Sequence, residues 1–421
     1  MKKIATILLV YLISVAFTAP HPYPIDGYEY TGIKRLKRLE MIKSGELKDG
    51  TVLPPGAMKS YVDIQLNLFS RYQDSVSTFL VKDEAFQQQI SDLFRGLDRS
   101  YSLAVLDVTD PEKPRYASRN ETVGYQPGSV GKLAVMIGLF DQLAKLYPDS
   151  FEDRIKLLKE RSVKAGPWGM TDEHTIPIFN IETNKLVKRQ VVPSDVFSLF
   201  EWADHMMSVS NNGAASILWR EVLLMAAFKQ DYPSLTQEQA DAYFKTTPKN
   251  EITDLGNDVV NLPLREMGIT HEEWRLGSFF TRGANPYVGA KGGSTGTPIG
   301  LMKFLIQLEQ GQVIDAKSSL EMKRLMYMTD RRIRYAQSPS LKEAAVYFKS
   351  GSLYKCDRSK GEACGKYMGN VFNYMNSVAI VEHPDNYCYM VVLMTNVLRK
   401  NSASDHMSLA ASIDKVIRNK N

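Results

Sequence analysis

A serine hydroxyl is a poor nucleophile until a base lies within hydrogen-bond reach, and a lysine kept neutral by burial can be that base. Ser129 and Lys132 have suitable spacing. In Tyr125-Gln126-Pro127-Gly128-Ser129-Val130-Gly131-Lys132 a Pro-Gly turn hands directly into an apolar run, Leu133 to Leu146, that ends at Pro148. Leu133, Met136, Ile137, Phe140, Leu143 and Leu146 recur at helical spacing, so the run reads as a buried helix with Ser129 at its N-terminus. Lys132 then lies one turn on, on the same face. Free N–H groups at that terminus can hold a developing oxyanion, and the positive end of the helix disfavours an ammonium nearby.

Read alone, Ser-x-x-Lys is also the pattern of a capping serine followed by a surface lysine, and it recurs at Ser352 to Lys355 and at Ser412 to Lys415. Two other groups give it company. A helix over 195 to 207 is followed by Ser208-Val209-Ser210-Asn211-Asn212-Gly213 and then by a second helix, Ala214 to Ala227. Short polar side chains in such a connection can point together into a cleft, although Ser, Asn and Gly also make plain turns. The third group, Lys349-Ser350-Gly351-Ser352, follows the apolar run Ala344 to Phe348 and therefore sits on a strand. There a glycine lets a substrate backbone lie alongside, and a cation and a hydroxyl are available for a carboxylate. Another Lys-Ser-Gly, at Lys43 to Gly45, falls in a charged helical context ahead of the serine.

These groups need elements to position them. The pattern predicts a helix over Phe86 to Leu97, a strand over Leu103 to Val108, and a mostly helical section to about residue 230. A polar helical excursion over 229 to 260 and a glycine-rich loop over Thr281 to Pro298 follow. Helices are expected after Pro298 to Leu308 and over Ser318 to Met328, strands over Ser377 to Glu382 and Tyr389 to Thr395, and a last helix from Ser404 to Ile417. Residues 27 to 68 precede any chemical signal. They carry a basic helical piece, Lys34 to Lys48, whose run Lys34, Arg35, Lys37, Arg38 reads as a solvated face rather than a membrane-binding one. Alternation at Val62, Ile64, Leu66 and Leu68 predicts a half-buried strand, and no chemistry is assigned to this stretch.

At the start, Met1-Lys2-Lys3 precedes an uncharged apolar segment, Ile4 to Phe17, and small residues around Ala19. This reads as a secretory leader over residues 1–19; the segment is short for a membrane span, so a membrane anchor is expected only if the leader is kept. The leader carries two of the 52 basic residues, leaving the rest nearly balanced against 47 acidic ones. That balance gives no support to nucleic-acid binding, and 44% hydrophobic with 24% charged residues describes an ordinary globular chain. In an exported, disulfide-permissive setting Cys356 and Cys364 are expected to pair across a polar turn, with Cys388 a buried free thiol. The few histidines show no ligand spacing beside these cysteines, so no metal or other cofactor is expected.

Ser-x-x-Lys at a helix start, Ser-x-Asn between helices and Lys-Ser-Gly on a strand, in that order, are far more specific together than apart. Over roughly residues 85 to 421 the chain resembles the penicillin-recognising serine enzymes, the superfamily of class A β-lactamases and penicillin-binding DD-peptidases. The resemblance is carried by Ser129-Val130-Gly131-Lys132, Ser210-Asn211-Asn212 followed by Gly213-Ala214-Ala215, Lys349-Ser350-Gly351, and Thr297-Pro298 opening a helix. It implies an α+β fold: an antiparallel five-stranded sheet flanked by helices (85–125 and 300–421), an all-helical lobe (130–290), and an active site between them. Residues 20–84 would be an N-terminal extension.

Residue by residue, the resemblance makes Ser129 the acylated nucleophile and Lys132 its base. Ser210 becomes the proton relay to the leaving amine, and Asn212 the holder of the acyl-side amide and of the lysine. Lys349 and Ser350, with Gly351, become the carboxylate-binding strand, and the backbone N–H groups of Ser129 and Ser352 the oxyanion hole. It departs from the pattern at Asn211, where class A enzymes usually carry aspartate, and in lacking a clean Glu-x-x-Leu-Asn segment for deacylation; the nearest acids there are Glu272 and Glu273, and Glu273 is the candidate base. The implied activity is that of a serine hydrolase; the leader adds the expectation of export, periplasmic or secreted, and a monomer is expected. It would hydrolyse a small-molecule β-lactam in the manner of a class A β-lactamase, or a peptidoglycan peptide in the manner of a D-alanyl-D-alanine carboxypeptidase. A non-hydrolytic penicillin-binding sensor is the third reading, and the presence of both Ser129 and Lys132 argues against it.

Overall fold

The computed structural model describes residues 25–48, 55–57, 59–170, 173–329, 332–361 and 364–419. The leader read over 1–19 lies outside them. Among the described residues no helix is long and apolar enough to cross a membrane.

Alternating side chains build the main sheet. Its five strands are β1 (Ser102–Asp107), β2 (Arg115–Arg119), β3 (Ala345–Lys355), β4 (Phe372–Glu382) and β5 (Cys388–Asn396). They are all antiparallel, in the order β2-β1-β5-β4-β3. Because successive residues point to opposite faces, β3 sends Val346 and Phe348 to one core, with Phe86, Leu393 and Ile413, and Tyr347 to the other, with Met390 and the helical lobe. The Glu84–Asp92 and Ala403–Arg418 helices close the first face; the Lys132–Leu146, Pro298–Gln310 and Ala316–Tyr327 helices lie toward the second.

The helical lobe is centred on Lys132–Leu146, which is buried along nearly its whole length, as an all-round apolar helix must be. Asn212–Phe228 and Lys249–Glu266 pack on it. Gly138 allows the second of these contacts, since a Cβ there would stand 2.6 Å from Val259 O. Residues 249–266 are therefore a core helix, not part of a surface excursion: Ile252, Val259, Val260 and Leu264 form a buried stripe that the polar composition of the region conceals. The excursion proper is confined to the Lys229–Ser234 turn and the Gln237–Thr246 helix, where Ala240 and Phe244 are buried.

Two expectations for the N-terminal extension are corrected. No strand forms over residues 62–68. Tyr61–Asp63 and Phe69–Arg71 are 3-10 turns, the buried residues are Tyr61, Ile64 and Leu68, and Val62 is 72% exposed, so burial does not follow a period of two. The basic run is not wholly solvated either. Lys34–Ser44 is a helix, but Arg35 is buried in an ion pair with Asp204 of the helical lobe. The Cys356–Cys364 disulfide is present and Cys388 is buried and free.

Candidate active site

The turn before the central helix is built to a tight tolerance. Gly128–Gly131 form a 3-10 turn, so Ser129 precedes the α-helix by three residues and Lys132 is its first residue. Gly128 has φ +53°, a left-handed conformation that favours glycine. The turn packs against β3 so closely that a Cβ on Gly351 would stand 2.1 Å from Pro127 O and 3.0 Å from Ser129 N, which explains the glycine at that position. From β4, whose Asn376 pairs with Gly351 in register, the Asn376 amide donates to Gln126 O (2.9 Å) and Pro127 O (3.1 Å) and fixes the turn against the sheet.

Lys132 is fully buried, and its Nζ stands 3.0 Å from Ser129 Oγ. It also lies 2.5 Å from Ser210 O, 2.7 Å from Asn212 Oδ1 and 3.3 Å from Ser210 Oγ, with the Phe280 ring centroid at 5.3 Å. Ser210 has φ +60°, strained for a residue with a Cβ, and its Oγ accepts from Lys349 Nζ at 2.8 Å. Burial holds the Lys349 ammonium well below the usual lysine range, and the nearby Arg334 guanidinium adds to this. Ser129, Ser210, Lys349, Ser350 and Arg334 thus line one recess of about 90 Å³. It lies beside an open cleft of about 680 Å³ that also has Ser129 on its wall, together with Asn212, Phe279, Phe280, Tyr354 and Tyr367.

Asn211 caps the Asn212–Phe228 helix by accepting from Ala214 N, and its amide donates to His174 O at 3.0 Å. An aspartate could cap but could not donate, so asparagine here ties the loop to the segment that begins at residue 173.

Glu273 does not reach the cleft. Its carboxylate pairs with Lys303 at 2.6 Å and accepts from Thr270 N at 2.8 Å, and it lines neither cavity. The stretch from Leu276 to Gly296, which supplies Leu276, Ser278, Phe279, Phe280 and Ser294 to the cleft wall, contains no aspartate or glutamate. Among the described lining residues the sole carboxylate is Glu173, on the opposite segment. Glu273→Gln is accordingly expected to leave the lifetime of any Ser129 adduct unchanged; an adduct that persists longer in this variant, followed by intact-protein mass spectrometry, would restore Glu273 to the site.

Three residues outside the three motifs complete the site: Arg334 in the recess, Phe280 on the cleft wall and Asn376 behind the turn. Arg334, in a 3-10 turn at φ +53°, donates to Gly351 O (2.8 Å) and Ser352 Oγ (3.0 Å). Phe280 covers Lys132, and Asn376 braces the turn. None belongs to a short motif.

The profile of the beta-lactamase enzyme family matches residues 85–418, most of the chain. The chain belongs to the beta-lactamase enzyme family. As a member it is a serine hydrolase, and the antiparallel sheet with its helical lobe is the β-lactamase fold. The fold is also that of a TLA-3 extended-spectrum beta-lactamase (14% identity, 79% of this chain and 97% of that one, TM-score 0.51). A TLA-1 extended-spectrum beta-lactamase is similar to the same degree (13% identity, 79% and 98%, TM-score 0.51). A structure of PBP-A aligns over 80% of this chain and 96% of its own at 13% identity and a TM-score of 0.49. No curated protein matches the chain. The family match begins at residue 85, leaving the extension outside it.

Proposed function

We propose that this β-lactamase-family serine hydrolase opens a β-lactam amide through an acyl-enzyme on Ser129. The observation that carries the reading is the contact of Lys132 Nζ with Ser129 Oγ, with Ser210 Oγ between the two lysines. Of the three nearest neighbours of Lys132 Nζ, Ser210 O and Asn212 Oδ1 can only accept, whereas Ser129 Oγ can donate. A neutral amine satisfies all three, giving two N–H groups to the carbonyl oxygens and turning its lone pair to the serine hydroxyl. Ser129 Oγ would then attack the lactam carbonyl carbon while its proton passes to Lys132. When the C–N bond breaks, Ser210 delivers that proton to the leaving nitrogen. Backbone N–H groups of Ser129 and Ser352, brought close by Gly128 and Gly351, would receive the oxyanion. Lys349 and Ser350, with Arg334 beside them, would hold the substrate carboxylate.

A second reading concerns the substrate met in the cell. An acid-free segment at the cleft wall and a Glu273 engaged elsewhere favour slow hydrolysis of a penicilloyl-enzyme, the behaviour of a D-alanyl-D-alanine carboxypeptidase whose turnover substrate is peptidoglycan peptide. We take the leader and the family together as support for export to the periplasm or beyond, and the protein as a monomer without cofactor.

The test is intact-protein mass spectrometry over time after adding a penicillin, alongside absorbance of a chromogenic cephalosporin. Ring opening expels no fragment, so the adduct should carry the whole mass of the penicillin. A lasting adduct would favour the peptidase reading and rapid turnover the β-lactamase. Ser129→Ala is expected to abolish labelling by a fluorescent penicillin; persistent labelling would remove Ser129 as nucleophile.

A further inference from the structure

The strained Ser210 loop is held from behind by a residue outside the family match. Arg35, on the extension's Lys34–Ser44 helix, forks onto Asp204, with Nε 2.5 Å from Oδ2 and Nη2 2.5 Å from Oδ1. The same Nη2 donates to Ser208 Oγ at 2.7 Å and to Met328 O. Ser208 Oγ also contacts Asp204 Oδ1 (2.6 Å) and Met328 O. The two backbone segments joined in this way are the ones that flank the Ser210–Lys349 contact. Ser208 ends its helix two residues before Ser210, and Met328 precedes Thr329, which lines the recess with Ser210, Lys349 and Arg334.

We infer that Arg35 is a positioning residue for the active site, acting through Ser208 and Met328 O to hold Ser210 where its hydroxyl meets Lys349. The inference rests on the reading of Ser210 as proton relay. A serine at positive φ relaxes toward negative φ when its flanks are released, and that rotation carries Oγ away from the lysines. Arginine suits the task because its planar fork reaches the carboxylate, the hydroxyl and the carbonyl together; a lysine supplies the charge but not the fork. The position, at a helix C-terminus, also favours a cation.

A purely structural role, neutralising the buried Asp204, predicts something different, and Arg35→Lys separates the two because it retains a charge opposite Asp204. It is expected to melt within a few degrees of the parent yet to be acylated by a fluorescent penicillin about 10-fold more slowly at saturation. The half-saturating concentration should change by less than about 2-fold, and amide exchange across residues 204–214 should quicken. Lys159→Ala, which removes another tie of the extension (Lys159 Nζ to Glu29 O, 2.6 Å), should leave acylation unchanged. Should Arg35→Lys fail to fold, Ser208→Ala carries the same expectation, since it deletes the hydroxyl that joins Arg35 to the loop without exposing a buried charge. Parental acylation and exchange in Arg35→Lys, or equal slowing in Lys159→Ala, would overturn the inference. A parent that is never acylated would instead refute the Ser129 reading, and exchange across 204–214 would still decide the role of Arg35.

Discussion

Lys132→Ala is expected to slow acylation of Ser129 by a factor on the order of 10² to 10⁴, the usual worth of a positioned general base. The substitution does two things at once, because Nζ both faces Ser129 Oγ and donates to Ser210 O and Asn212 Oδ1. Lys132→Arg separates them. A guanidinium still donates to the carbonyl oxygens, but it stays protonated and cannot accept the serine proton. If Lys132 is the base, the arginine variant should be as slow as the alanine one; if it only braces the loop, arginine should restore much of the rate. Adduct formation on Ser129, timed by intact-protein mass spectrometry, reads both. Acylation of Lys132→Arg at the parental rate would remove the base assignment.

The parts of the site that were legible in the sequence are those whose geometry is local. Ser129 and Lys132 share a helix start, Ser210 to Asn212 share an interhelical loop, and Lys349 to Ser352 share a strand, so helical and strand spacing alone places side chains within each group. What spacing could not show is how the groups meet. Asn376 reaches Gln126 and Pro127 from about 250 residues away in sequence, and Arg35 reaches Asp204 across 169 residues. Both are settled by packing: Arg35 is one of four cations in its run and Asn376 one of several polar residues on its strand, so nothing local marks either. Glu273 shows the opposite failure. It is an acid in the right part of the chain, but Lys303 and the Thr270 amide satisfy it, and no local pattern reveals that. The 249–266 helix was hidden for a related reason: its buried stripe is narrow and its polar face supplies most of its residues.

Lys323→Met should have the largest effect on stability, on the order of 3 to 5 kcal/mol at pH 7, because it leaves the buried Glu309 and the partly buried Glu382 without their shared cation. Lys323 is fully buried, with Nζ 2.7 Å from Glu309 Oε1, 2.7 Å from Glu382 Oε1 and 2.5 Å from Gln65 O of the extension. Burial pushes the Glu382 carboxyl up, but Lys323 and Lys59 outweigh it and hold it at about 2; Glu309, more deeply enclosed, is pushed above the usual range. The sign with pH follows from the two directions. Glu382, depressed in the folded parent, contributes stability that is present above its unfolded value near 4.3 and lost as pH falls through about 2. Without Lys323 the folded-state values of both carboxyls should rise, so the variant is penalised at neutral pH and relieved as acid protonates them. Urea unfolding at pH 7 and pH 4 should therefore show a gap between parent and variant that narrows on acidification. A gap that is constant or widens would mean that Lys323 contributes through something other than its pairing with the two carboxylates, such as its ammonium over the Tyr347 ring, 4.6 Å from the centroid.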